Sequence, residues 1–106
     1  MSDGRWARIR IAGVPAGMEV DALVIGNFAV HPNASGWREY TVTHIPTGFR
    51  VLDNKHASLA IESAWVLDDI TRTWPEHPTV REGPVLQAFT KQLKPYVREI
   101  ERCLLT

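Results

Sequence analysis

Residues 40–52, Tyr40 to Leu52, read YTVTHIPTGFRVL. Tyr40, Thr41, Val42, Thr43 and Ile45 are aromatic or β-branched, side chains that suit a pleated surface. Pro46 holds φ near the value a turn needs at its second position, and Gly48 gives the freedom to leave it. Beyond the turn, Phe49 and Val51 share one face and Arg50 takes the other. This is strand, tight turn, strand. Asp53 and Asn54 then offer an N-cap, and Ala57, Ala60, Ile61 and Ala64 follow at helical spacing. The helix is expected over about Lys55 to Leu67, boundaries good to about two to four residues. The stretch therefore predicts a ββα core, with Tyr40, Val42, Phe49, Val51, Ala60, Ile61 and Ala64 packed together.

Upstream, Arg5 to Ile11 alternates. Ala7, Ile9 and Ile11 fall on one face; Trp6, Arg8 and Arg10 fall on the other. Gly13, Pro15 and Gly17 break the chain. Val20 to His31 reads as one longer strand, apolar on both faces, with Gly26 marking a bulge. Such a strand is central and needs cover on both sides. Residues 31–37 form a connecting loop. Downstream, residues 68–83 read as loop, with Trp74, Pro75, Pro78 and Gly83. Pro84 suits the first turn of a final helix. Val85, Leu86, Phe89, Leu93, Val97, Ile100 and Leu104 form one apolar stripe, bordered by Tyr96 and Cys103. Lys91, Lys94, Arg98, Glu101 and Arg102 take the far side. Pro95 is expected to kink this helix. The expectation is a single α+β domain over residues 1–106, an antiparallel sheet of about four strands followed by two helices, in the order ββββαα.

Composition narrows the function. Twelve basic and twelve acidic residues leave a formal net charge of zero. That balance argues against capture of nucleic acid by a general basic footprint. One cysteine forms no internal disulfide and fits a reducing cytoplasm. Residues 1–13 carry no secretion pattern, and no apolar run is long enough to span a bilayer. The expected location is the cytoplasm, with no membrane partner.

Chemistry-bearing residues are few. His31, His44, His56 and His77 lack ligand spacing, so no metal is expected. Each reads as a hydrogen-bonded core or rim histidine, and His44 shares a strand face with Tyr40 and Val42. A catalytic base would need a partner acid. Asp68 and Asp69 point about 100° apart on a helix and read as solvated charge. Cys103 reads as a small buried hydrophobe. Hence no catalytic residue and no cofactor is expected. Trp6, Arg8 and Arg10, joined by Arg50, form a candidate face for a nucleic-acid groove or a partner protein, although the neutral net charge favours a solvated sheet face with arginine stems covering Trp6. Trp37 and Trp74 are candidate partner-binding aromatics, and each equally suits pinning a loop. Strand, helix and stripe together carry more apolar surface than one chain buries. This predicts a homodimer through Leu86, Phe89, Leu93, Val97, Ile100 and Leu104, the competing account being that Pro95 bends the final helix back over the second sheet face and closes the monomer.

The run Phe28-Ala-Val-His31, then Tyr40-Thr-Val-Thr-His44-Ile-Pro46-Thr-Gly48, then an alanine-rich helix resembles small proteins of tailed phages and prophages. The resemblance covers residues 28 to 67. It implies a non-enzymatic protein that binds and modulates a host protein complex, a class that includes inhibitors of host defence of the anti-CRISPR type. A more distant likeness, to the sheet-plus-helix arm-binding domains of phage integrases, implies a sheet-face nucleic-acid module as the alternative. There Trp6, Arg8, Arg10 and Arg50 would read DNA. A small hydrolase or nuclease is the third reading.

Overall fold

The computed structural model describes residues 5–11, 18–33, 39–74, 78 and 83–104. Trp37 and His77 lie outside them, as does the side chain of Leu104. The elements are β1 (Arg5–Ile11), β2 (Met18–Ile25), β3 (Phe28–Pro32), β4 (Tyr40–His44), β5 (Phe49–Asn54), α1 (Ala57–Thr71) and α2 (Pro84–Leu104). The strands form one antiparallel sheet in the order β1-β2-β3-β4-β5. This is the α+β architecture, with five strands where about four were expected.

The fifth strand comes from Gly26. Ile25 pairs with Phe28, so only Gly26 and Asn27 lie between β2 and β3. Gly26 has φ 60, and no described non-glycine residue has a positive φ. Glycine first, with an ordinary φ after it, is the type II′ pattern, whose twist matches the strands it joins. The long strand of the sequence reading is thus a hairpin. A Cβ on Gly26 would stand 1.9 Å from the Asp68 carboxylate, so the end of α1 sits directly on the turn. Asp68 is buried there and holds Arg72 at 3.1 Å, rather than being a solvated surface charge.

Both faces of β2 and β3 are apolar because each feeds its own cluster. On one face Ile25, Phe28, Val30, Val42 and Leu52 pack with Ala60, Ala64 and Leu67 of α1 and with Phe89, Leu93 and Ile100 of α2. On the other, Ile9, Ala22, Val24 and Ala29 pack with Ala7, Val20 and Ile45. Alanine at 60 and 64 keeps α1 close to β2, β3, β4 and β5. Val42, Ala60 and Ala64 are fully buried, and Tyr40, Val51 and Ile61 border them, as expected. Phe49 is the exception, at 40% exposed.

The connection from β4 to β5 is wider than a tight turn. Residues 45–48 form a loop closed by the Gly48 N–H donating to the His44 carbonyl at 2.7 Å, with Gly48 at φ 74. The bulge lies beyond it. Val42 pairs with Leu52 and Thr43 with Arg50, leaving Val51 as the extra residue. Helix α1 begins later than expected. His56 takes the N-cap position without a side-chain cap, and Asn54 Oδ1 accepts the His56 N–H at 2.7 Å.

α2 runs through Pro95 without interruption. Phe89, Leu93 and Ile100 of its stripe are buried in the chain's own core. Burying each such side chain contributes about 1.5–3 kcal/mol, so the helix is stable cover for its own sheet. Phe89, Leu93 and Ile100, three of the residues expected to pair two copies, thus pack in the chain's own core.

Candidate functional site

Two cation-bearing regions of the described surface differ in how their charges are arranged.

The first is the β1 edge. Trp6, Arg8 and Arg10 pair with Leu23, Asp21 and Glu19 of β2, which puts them on the helix side of the sheet. Trp6 is 71% exposed, so neither helix reaches it. Arg50 pairs with Thr43, and Thr43 with Ala29, so its register position is on the opposite face, at the edge that borders the α2 groove. It also stands four strands away, about 19 Å at roughly 4.8 Å per strand. The arginine and tryptophan face expected from the sequence does not come together, because the meander puts β1 and β5 at opposite edges. Each arginine also has a carboxylate neighbour. Arg8 lies 3.6 Å from Asp21, Arg10 lies 3.8 Å from Glu19, and Arg50 donates to Asp53 at 2.6 Å.

The second region is a groove between the β4–β5 hairpin and α2, enclosing about 500 Å³. Phe49 and Val51 line one wall; Leu86, Phe89, Leu93 and Val97 line the other. Two features of the fold shape this groove. The bulge adds Val51 to the lining beside Phe49. The loop at 45–48 carries Thr47 into the lining beside His44, the last residue of β4. His44 is buried there between two rings, 5.4 Å from Phe28 and 4.8 Å from Phe89. Its Nδ1 lies 2.9 Å from Thr47 Oγ1. The expectation of a hydrogen-bonded core histidine holds for His44, and it also floors the groove. Trp74 meets Phe89 edge-on at 5.5 Å and Tyr96 at 6.0 Å. It thus pins the segment after α1 to α2, and it is not among the groove's lining residues.

Arg50 and Lys94 stand among the lining residues, and no carboxylate does. Arg50 is already held by Asp53, which also accepts the Thr41 hydroxyl at 2.6 Å and the Asn33 amide at 3.2 Å. His31 Nε2 lies 2.8 Å from Thr43 Oγ1 and Nδ1 lies 2.8 Å from the Pro32 carbonyl. His31, Asn33, Thr41, Thr43 and Asp53 are buried or half-buried, with Arg50 exposed at their margin, and these bonds suit a structural network.

Elsewhere, Cys103 is exposed rather than a buried hydrophobe, with Sγ 3.6 Å from Glu99 Oε1. Hydrogen bonding and charge from Arg102 hold the Glu99 carboxyl below its ordinary range. Among the described residues, no group of three or more His, Cys, Asp or Glu is placed to hold a metal ion. No described helix is long and apolar enough to cross a membrane.

Sequence reasoning named Leu86, Phe89, Leu93 and Val97 for a different role, and it missed Phe49, Val51, Thr90 and Lys94 as a site. The β-bulge that adds Val51 had no signal in the sequence. Comparison with protein-family models, curated proteins and solved structures finds no match.

Proposed function

We propose that this chain is a non-enzymatic binding protein that works in the cytoplasm of a phage or prophage host, docking on a component of a host protein complex and modulating it. The docking surface is the groove between β5 and α2. The mobile-element context rests on the sequence resemblance over residues 28 to 67. The choice of surface rests on one observation: an open apolar groove of about 500 Å³, lined by Phe49, Leu86 and Val97, with no carboxylate among its lining residues. Concave apolar surfaces rimmed by a few polar groups are where ligands and partner side chains bury most area. An exposed Phe49 beside such a groove is costly to keep in water and is ready to be covered.

The nucleic-acid alternative needs a continuous cationic face. Its arginines divide between two faces and two edges, each beside a carboxylate, so it is not carried further.

The test is quantitative affinity capture from host lysate with three versions of the full chain. The unaltered protein and the Arg8→Ala/Arg10→Ala variant retain the same partner set. Phe49→Asp, an exposed position whose change leaves the fold intact by circular dichroism, loses it. A partner set lost with the arginines and kept with Phe49→Asp contradicts this assignment.

A further inference from the structure

Among the described residues, five cations have ion pairs: Arg8, Arg10, Arg50, Arg72 and Arg102. Among the described residues, Arg5, Lys55, Lys91, Lys94 and Arg98 are the cations with no carboxylate within 4.0 Å. Three of these five fall within two turns of α2. At about 100° per residue, Lys91, Lys94 and Arg98 make a single column on that helix. Going round the helix from its buried side, Phe89 and Leu93 come first, then Thr90 and Val97 on the groove, then this column. All three side chains are exposed. Glu101 is the acidic residue at the column's C-terminal end, and it also is exposed. Arg8, Arg10, Arg50, Arg72 and Arg102 each have a carboxylate neighbour, whereas this column stands open beside the apolar groove.

We infer that the groove's occupant is an acidic peptide segment of a partner protein, one large apolar side chain seated between Phe49 and Val97, with carboxylates along the Lys91–Lys94–Arg98 column. This deepens the docking role proposed above and rests on it. Charge complementarity carries the inference. Lys91 and Arg98 are seven residues apart, about 10 Å along the helix at roughly 1.5 Å per residue. That is longer than one carboxylate spans, so a single small acid does not satisfy the column. A polypeptide with spaced Asp or Glu does. The open charges also steer an acidic partner toward the groove before contact, an effect that weakens with salt.

The experiment uses the folded full chain, immobilised, and a displayed library of random short peptides. Peptides that bind should be enriched in an aliphatic or aromatic residue with Asp or Glu on at least one side. A selected peptide, measured by fluorescence polarisation, should weaken about ten-fold or more on Lys94→Glu/Arg98→Glu, the scale set by losing two close charge pairs. Its counterpart with Lys in place of the acidic residues should bind that variant better than it binds the unaltered protein. Thr90→Trp, an exposed change that fills the groove, should abolish binding of both. Circular dichroism checks that each variant is folded. Peptides that need an open groove but show no acidic preference, or keep their affinity on charge reversal, overturn this inference and leave the docking groove standing. Peptides indifferent to Thr90→Trp, or no enrichment, overturn the groove as well. A single-stranded oligonucleotide that displaces the peptides and binds more tightly assigns the column to phosphate and overturns the inference.

Discussion

The β1–β2 surface and the β5–α2 groove both carry cations and both expose an aromatic, Trp6 in one and Phe49 in the other. Their charges behave oppositely. On the first, Arg8 and Arg10 sit directly across from Asp21 and Glu19, so the surface cancels its own field. On the second, Arg50 is held by Asp53, but Lys91, Lys94 and Arg98 have no such neighbour, and the apolar lining lies beside them. The zero net charge is the same fact for both regions and distinguishes neither. What separates them is whether opposite charges are cross-strand neighbours, and that is set by register rather than composition.

The difference can be broken most strongly from the groove side. Phe89 is both core and groove wall, so Phe89→Ala should cost about 3–5 kcal/mol in chemical unfolding. Trp6→Ala should cost no more than about 0.5 kcal/mol, as an exposed position away from special features. Comparable losses for the two would mean that Trp6 is packed and the contrast fails.

Next in size is the turn that joins the two regions. Gly26→Ala forces a left-handed φ on alanine, worth about 1–3 kcal/mol, and drives its Cβ toward the buried Asp68 carboxylate. A lowered melting temperature is expected, with the β1–β2 amides exchanging faster than those of β4. An unchanged melting temperature would show that the turn accommodates a side chain.

Oligomeric state sharpens the comparison from α2. Because Phe89, Leu93 and Ile100 are buried in the chain that carries them, light scattering at micromolar concentration should give the mass of one chain. A mass of two would restore the pairing of α2 stripes.

The smallest effect belongs to the β1 edge. Arg8→Ala/Arg10→Ala removes two exposed ion pairs, and such pairs contribute about 0–1 kcal/mol each, less in salt. The melting temperature should hold within a degree or two on the scale where 1 kcal/mol moves a domain of this size by roughly 4–8 °C. A larger fall would mean that these pairs are structural.

Much of the fold was legible because local chemistry and tertiary fate agree in it. Tyr40 to His44 are strand residues that become β4, and the alanines at 60 and 64 become the close face of α1. Gly26 was legible as a break but not as a turn. A glycine between two apolar runs reads the same whether one strand bulges or two strands reverse, and only the pairing of Ile25 with Phe28 decides. The candidate site was less legible. Val51 joins the groove because a bulge opposes one residue of β4 with two of β5, and no residue type announces that. Phe49 reads as core from its strand parity, yet it lies at the end of an edge strand where cover stops. Trp6, Arg8, Arg10 and Arg50 read as one surface because parity along a strand is visible in sequence while strand order is not.

The central claim is that partners meet the groove beside α2 and not the β1 edge. The most direct measurement places a photocrosslinking amino acid at position 90 or at position 8 of the full chain, illuminates host cells, and identifies the adducts by mass. The account predicts one reproducible protein adduct from position 90, absent from position 8 and suppressed by Lys94→Glu/Arg98→Glu. An adduct formed from position 8 and missing from position 90 would contradict it.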